Sequence, residues 1–387
     1  MQSAFSAVLQ REWRYLKSHP WDLSFLTLVP GLALLLCFWL FSAGRASDLP
    51  VAVFDQDHSA LSRTLVRFLD AAPALKVHIE VGSDAEAVSL LRQGHVYALI
   101  RLPRGMQHDV YRGLPVGIEV MYNAQLATIA GMVKADIQKA LLLAAAGAEM
   151  RQRVSAGENA HLARISVEPL RTQLRVLFNP DLDFALFLLP ALLPALLHIL
   201  AMTVAVVALG RELKAGSGSD WLQRAQGCWL PALFGKLLPA FIAYLLWGVL
   251  VLAWVARAGD SGFDSGWWLT VLAYGLLVLA CFSLAIPVLA FAGSLRMALS
   301  VTGFYTAPAF SYSGLIFPLY VMPLGAQVWA SLLPFTHYLK VQQEQLLMDA
   351  PLRVSLPDFL VQTLMVLLPL LALPRLGRLL REGEDRG

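Results

Sequence analysis

Few side chains in this sequence are equipped to act as ligands, bases or nucleophiles. Asp55 and Asp57 in "FDQDHS" place two carboxylates one residue apart, a spacing a divalent cation can use; a strand ending in Asp before a polar helix cap accounts for the same letters. His198 and His337 fall in or beside apolar stretches, where an ionisable group is functional by default. No carboxylate or serine accompanies either at a recognisable spacing, so no nucleophile with a base in reach can be named. For His198 the alternatives are a neutral, hydrogen-bonded interhelical histidine and a residue of a transport path. The three cysteines, Cys37, Cys228 and Cys281, lie in or beside apolar runs and form no CxxC pair. A GxxxxGK[ST] loop is missing, so ATP is not bound by that route. We expect no catalytic residue, no metal and no cofactor held by this chain.

One polar stretch stands out, "GRELKAGSGSDWLQRAQG" from Gly210 to Gly227. Arg211 and Glu212 end a long helix, Gly216 and Gly218 permit a sharp reversal, and Asp220 is placed to cap a short helix carrying Trp221. A solvated turn is the plainer alternative. If the protein does work, its energy must arrive from a partner, and this island is the natural place for it to arrive.

The elements around the island are set by composition. The 387 residues are 57% hydrophobic and 15% charged, with a mean hydropathy of +0.61, whereas soluble domains carry about a quarter charged residues. A membrane span needs roughly 20 apolar residues, and six runs qualify: Trp21 to Ala43, Leu182 to Leu209, Trp229 to Ala256, Trp267 to Gly293, Met297 to about Pro323, and Pro357 to about Pro374. The fifth, with Pro308 and Pro318, is the least regular. The apolar stretch after it, about residues 323–336, has no room for another crossing and reads as a re-entrant or interfacial segment. Lys236 in "FGKLLP" is expected to snorkel to the inner interface.

Charge sets the orientation. With the N-terminus inside, the inner segments hold twelve Lys and Arg residues and the short outer loops three, Arg257, Lys340 and Arg353; the excess marks the cytoplasmic side. Both termini and the island are therefore expected in the cytoplasm, and the net charge of +3 is a topology signal that calls for no nucleic-acid partner. A cleaved signal peptide competes for the N-terminus, but the first apolar run exceeds the usual 7–15 residues of such a segment. Before it, residues 1–20 space Phe5, Val8, Leu9, Trp13 and Leu16 on one helical face with Arg11, Arg14 and Lys17 nearby, as in a basic amphipathic helix lying in the interface; a solvated tail is the alternative.

Residues 44–181 differ in composition, with 15 of the 30 basic and 14 of the 27 acidic residues. They read as a soluble α/β domain on the outer side, alternating "LPVAVFD", "HSALSRTLVRFLDAA", "LKVHIEV", "DAEAVSLLRQG", "YALIRLP", "RGMQHDVYRG" and "PVGIEVMYN". Ser83 with Glu86 spells a capping box, and Gly94 marks a helix stop. A longer helix follows from Ala124, with Leu126, Ile129, Val133, Ile137 and Leu141 at helical intervals, and "ARISVEPLRTQLRVLF" reads as a final strand or extended return. The whole is a polytopic α-helical membrane protein of six spans with an inserted extracytoplasmic α/β domain, a bundle over 182–375 and a cytoplasmic tail at 376–387.

Three stretches carry a likeness: "VAVFDQDHSALSRTLVRFLDA", "GRELKAGSGSDWLQ" followed by "GKLLP", and "SGLIFPLYVMP" followed by "LLPFTHYLKV". Over nearly its entire length the chain resembles the membrane subunit of type 2 ATP-binding-cassette exporters with a large outer domain between the first two of six spans. The resemblance implies a coupling helix at 210–227 that docks on a cytoplasmic ATPase subunit through Arg211, Glu212, Gly216, Ser217, Asp220 and Trp221. Lys214 stands where the family typically has a second acidic residue. The same resemblance implies an elbow helix carrying Arg11, Trp13, Arg14 and Lys17, and an apolar hairpin from Pro308 to Pro334 lining the outer end of the pathway with Phe310, Tyr312, Phe317, Pro318, Pro323 and Pro334. It implies ATP and Mg on the partner ATPase, a second permease copy or paralogue, a periplasmic membrane-fusion adaptor as a further partner, and a bacterial inner membrane. The apolar, aromatic lining favours a hydrophobic or amphipathic cargo such as a drug or lipid over an ion. Two rival classes remain: a non-transporting anchor whose outer domain binds a partner, and a secondary transporter, which is expected to carry midplane carboxylates.

Overall fold

The computed structural model describes residues 2–42, 47–125, 127–155, 157, 183–258 and 264–382. The chain divides into two compact units, residues 1–42 with 185–387, and residues 43–184.

The first unit begins with α1 (Gln2–Ser18), which buries Ala4, Val8, Glu12 and Leu16, one residue in four along a single face. Trp13, grouped with the apolar residues of this helix by spacing, lies off that stripe and is 50% exposed. Next come α2 (Pro20–Leu26) and α3 (Leu28–Leu40), bent by 41° at Thr27. Pro30 causes the break: it has no N–H to offer the Leu26 carbonyl one turn earlier, and its ring crowds that carbonyl.

The second unit is a four-stranded sheet with helices on both faces. Its elements in order are β1 (Leu49–Asp55), α4 (Ala60–Asp70), β2 (Leu75–Glu80), α5 (Asp84–Arg92), β3 (Ala98–Leu102), α6 (Met106–Tyr111), β4 (Glu119–Tyr122) and α7 (Ala127–Ser155). The strand order is β2-β1-β3-β4, parallel except for the antiparallel edge strand β4. Alternating strand residues divide the core: Val51, Val53, Ala98 and Ile100 pack under α4 and α7, while Ala52 and Leu99 meet Ala87 of α5 on the opposite face. Asp136 of α7 accepts the Ala74 N–H at 2.9 Å and ties that helix to the entry of β2.

Local signals hold here with one change. Ser83 accepts the Glu86 N–H at 3.3 Å, but Glu86 reaches back to the N–H of Gly82 and leaves the box open. The reciprocal box forms in α4, between Ser59 and Ser62. Asp55 is spent on the same turn, accepting from the N–H groups of Asp57 and His58 and from the Ser62 hydroxyl, while Asp57 takes the Gln107 N–H. The two carboxylates are turn and cap acceptors, and no group of three or more His, Cys, Asp or Glu suited to a metal occurs among the described residues. The return expected at 163–178 lies outside the described residues.

The rest of the first unit is helical: α8 (Phe184–Lys214), α9 (Gly218–Arg224), α10 (Trp229–Ala258), α11 (Ser265–Ala292), α12 (Leu295–Thr306), α13 (Leu324–Ser331), α14 (Pro334–Val341), a π-turn at Gln342–Leu347, α15 (Leu352–Leu367), a 3-10 turn at Leu368–Ala372 and α16 (Leu373–Glu382). Four helical stretches among the described residues are long and apolar enough to cross a membrane, and five if the α2–α3 pair counts as one. The fifth apolar run is not among them. Its helix α12 ends at Thr306 after 12 residues, about 18 Å, short of a hydrocarbon core of about 30 Å. The polypeptide then returns through the short α13 and α14. Residues of the expected tail are helical: α16 runs to Glu382, with Leu376 and Leu380 buried.

Bends in this unit are completed by side chains of other helices. The Leu26 carbonyl, freed by Pro30, accepts from the Trp247 indole of α10 at 3.0 Å, and the neighbouring Phe25 carbonyl from the Tyr244 hydroxyl at 2.8 Å. In α8, Pro194 leaves the Pro190 carbonyl without its helical donor, and Gln342 of the π-turn supplies one at 2.8 Å. Membrane helices tolerate proline on this condition.

Candidate functional site

The turn from α8 into α9 is a C-cap motif. Gly216 sits at φ +62, its N–H reaching the Leu213 carbonyl, and the Ser217 N–H reaches that of Glu212 at 3.1 Å; a residue with a Cβ is strained at such a φ. Ser217 stands at the N-cap of α9 but does not cap it, because its hydroxyl donates to the Glu212 carboxylate at 2.6 Å. Asp220 is not the cap either: the helix starts at Gly218, which puts Asp220 in the first turn, where an anion suits the positive end of the helix dipole.

Glu212 is the hub. Its carboxylate takes both terminal nitrogens of Arg11 at 2.9 and 2.8 Å, the Lys236 ammonium and the Ser217 hydroxyl, which fills all four lone-pair sites. Next to it, Arg211 bonds Glu12, lies 3.6 Å from Asp22 and stacks over the Tyr15 ring at 3.7 Å. Lys236 also lies 3.4 Å from Glu12 and 5.3 Å over the Trp221 ring. Three cations thus meet three carboxylates, drawn from α1, α2, the α8 end and α10. Removing one partner from such a buried set leaves a charge uncompensated and costs about 3–5 kcal/mol.

Burial by itself lowers the tendency of Arg11 to stay charged, but the bonds to Glu212 and the nearby Glu12 and Asp220 carboxylates outweigh it and raise its pKa. Burial, then Asp22, pushes the Tyr15 hydroxyl up. Two glycine contacts let the parts close together. A Cβ on Gly235 of α10 would fall 2.8 Å from Val8 of α1, and one on Gly218 would fall 2.7 Å from Leu380 of α16.

The residues expected on the loop therefore separate by depth. Arg211 is partly covered, Glu212 is 2% exposed and Trp221 wholly buried, packed edge-on against Trp229 at 6.2 Å, so these hold the turn in place. The faces turned outward are Asp220, Gln223 and Arg224 of α9 with Lys214 at the end of α8. On α1, Arg11 points into the charge set, while Arg14 and Lys17 are exposed. Lys236 does not snorkel; it is 2% exposed and fully engaged. Glu12 and Asp22 were not singled out by sequence, and Lys236 was singled out for a different role. One signal existed for Glu12, a lone acid in the centre of the four-residue stripe of Ala4, Val8 and Leu16.

The opposite end of the unit holds a second polar set. His337 of α14 has Nε2 2.9 Å from the Ser331 carbonyl, which can only accept, so that nitrogen carries hydrogen; Nδ1 lies 2.6 Å from Asp358 of α15, with one proton between them. Lys340 lies 3.6 Å from the same carboxylate. This is a carboxylate partner that spacing did not reveal, 21 residues downstream. Beside it, Ser355 of α15 donates to Glu344 and accepts from Gln345 at 3.0 Å. His198 is buried in α8, bonded within its own helix to the Ala195 carbonyl at 2.5 Å and stacked on Phe335 of α14 at 5.0 Å. The hairpin residues do not share one environment. Phe310 and Tyr312 pack on the core, Phe317, Pro318 and Pro323 are exposed, and Pro334 is buried at the start of α14.

Comparison with known proteins places the chain in a family. Residues 20–373 match the family model described as ABC-2 family transporter protein. The chain is similar to the "Probable multidrug ABC transporter permease YbhR" of Escherichia coli strain K12, 22% identical over 355 residues that cover 90% of each chain. The protein of that description from Escherichia coli O157:H7 matches to the same extent. With its apolar helices and a family match over nearly its whole length, the chain belongs to the ABC-2 family of transporter membrane subunits.

Proposed function

We propose that this chain is the permease subunit of an exporter driven by a separate cytoplasmic ATPase, with α9 as the docking element and ATP and Mg bound on that partner. The observation that carries the reading is the fixed loop: a helix whose base is bound to α1, α8 and α10 by a filled charge set, and whose free stripe of Asp220, Gln223 and Arg224 faces outward. A force applied to that stripe reaches three helices at once. In this reading α1 is the elbow helix and both termini are cytoplasmic. Spans one to six are α2–α3, α8, α10, α11, α12 with its re-entrant return, and α15–α16, and residues 43–184 form an extracytoplasmic domain. Two permease chains enclose the pathway, ATP binding closes the ATPases, and rigid-body motion through the loop and elbow opens it outward. The cargo is hydrophobic or amphipathic, in keeping with an outer hairpin poor in charge, and the Escherichia coli relative is described as a probable multidrug permease.

The test is purification of the tagged protein from native membranes with identification of what accompanies it. A charge-reversed stripe, Asp220→Arg with Arg224→Glu, should lose an ATPase that the parent retains, while the melting profile stays unchanged. If no ATPase accompanies the parent even after crosslinking, the docking assignment fails. One observation speaks for a secondary transporter, the buried Asp358 with His337. Transport that persists without any ATPase would favour that reading.

A further inference from the structure

Between α1, α2 and α10 lies a groove of about 730 Å³, within the size range of small-molecule pockets. Its walls are apolar, with Leu9, Leu23, Ile242 and Leu246 among them, and its polar lining groups are Gln10, Arg14 and Thr27. Thr27 is spent on the Leu23 carbonyl at 3.0 Å. Arg14 uses only Nε, on the Gln10 carbonyl at 3.3 Å. Among the described residues its two terminal nitrogens have no partner, and neither Arg14 nor Lys17 meets a carboxylate. The contrast within α1 is sharp. Arg11, one turn earlier, is neutralised by Glu212, while Arg14 and Lys17 leave two uncompensated cations at or beside the mouth of an apolar groove. Trp13, which lines the groove, and Trp21 are 50% and 81% exposed, as aromatic side chains are at headgroup level.

We propose that this groove is a binding site for one anionic phospholipid, an acyl chain lying along α10 and its phosphate held by Arg14 with Lys17 beside it. Charge complementarity selects the occupant. Any bilayer lipid can place a chain against Leu246, but only an anionic headgroup answers two cations that meet no carboxylate, Arg14 and Lys17, the latter held 5.6 Å over the Trp13 ring that lines the groove, each worth roughly fivefold in affinity near a membrane surface. A bound lipid would wedge α1 against α10 and keep the elbow from rolling away from the charge set. The inference needs only membrane embedding, and it stands or falls independently of ATPase docking.

The test reconstitutes the full-length protein in nanodiscs of phosphatidylcholine doped with phosphatidylglycerol and counts retained lipids by native mass spectrometry. The parent should hold one phosphatidylglycerol above the nanodisc composition. Arg14→Gln should reduce its retention roughly fivefold. Ile242→Trp, on a half-exposed site that tolerates bulk, should fill the groove and release it with both cations intact. Equal retention in all three proteins overturns the proposal. So does loss in Arg14→Gln with retention in Ile242→Trp, which would mean a headgroup contact with an empty groove. If Ile242→Trp instead splits a dimer while the lipid stays, a second copy of the chain covers the groove and the proposal is wrong.

Discussion

At the α8 C-terminus, Glu212 fills every acceptor site it has; in the middle of α15, Gln362 is fully buried with neither its oxygen nor its nitrogen paired among the described residues. The two polar regions lie at opposite ends of α8, roughly 30 Å apart along the axis from Glu212 to Pro190. One binds elements 201 residues apart in sequence, with balanced charge. The other is joined mainly over short spans, 21 residues between His337 and Asp358 and 11 between Glu344 and Ser355, with Gln342 reaching back 152 residues to Pro190, and among the described residues it leaves Thr336 Oγ1, Gln342 Oε1 and the Tyr338 hydroxyl unpaired as well. A filled set moves as a unit. A partly filled one has fewer bonds to break before it rearranges.

Predictions follow this contrast in order of size. Glu212→Ala strands Arg11 and Lys236 and should destabilise the protein by about 3–5 kcal/mol, seen as a large fall in detergent melting temperature and folded yield. Asp358→Ala should cost less, about 2–3 kcal/mol, because Lys340 is already 38% exposed and can rehydrate; a loss equal to that of Glu212→Ala would erase the proposed difference between the two ends. Trp247→Phe removes the donor to the Leu26 carbonyl and should cost about 1 kcal/mol, with the α2–α3 bend altered in spin-label distances. Gln362→Leu should be neutral or stabilising by about 1 kcal/mol, since it removes an amide without partners; a marked loss of stability would show that the amide has a partner after all. The Asp220→Arg, Arg224→Glu pair should change melting by less than about 0.5 kcal/mol, as exposed substitutions do, while abolishing ATPase retention.

Much of the framework was legible in local pattern. The run "LPVAVFD" is β1 to the residue, Gly94 ends α5 at φ +73, and the Arg211-Glu212 pair closes α8 as its letters suggest. The fifth apolar run was the hardest to read, because hydropathy records how greasy a segment is and says nothing of whether its α-helix continues past Thr306. The site was only half legible for a different reason. Arg211 and Gly216 announce themselves by position, but Glu12, Lys236 and Asp358 matter through partners tens to hundreds of residues away, and pairing leaves no periodic trace. Lys236 in an apolar run suggests a side chain reaching for water until Glu12 and Glu212 are seen around it.

The separation of Arg11 and Glu12 from their partners has a consequence for biogenesis. Chains grow at about 5–20 residues per second, so α1 exists for about 10–40 s before Arg211 and Glu212 are made, and Lys236 comes later still. Through that interval the nascent α1 carries an acid, Glu12, in the stripe of Ala4, Val8 and Leu16 without the cations that later meet it. A chain that stalls before Arg211 is made keeps that acid unpaired for good, so an unfinished protein differs from a finished one by a bare charge on its first helix.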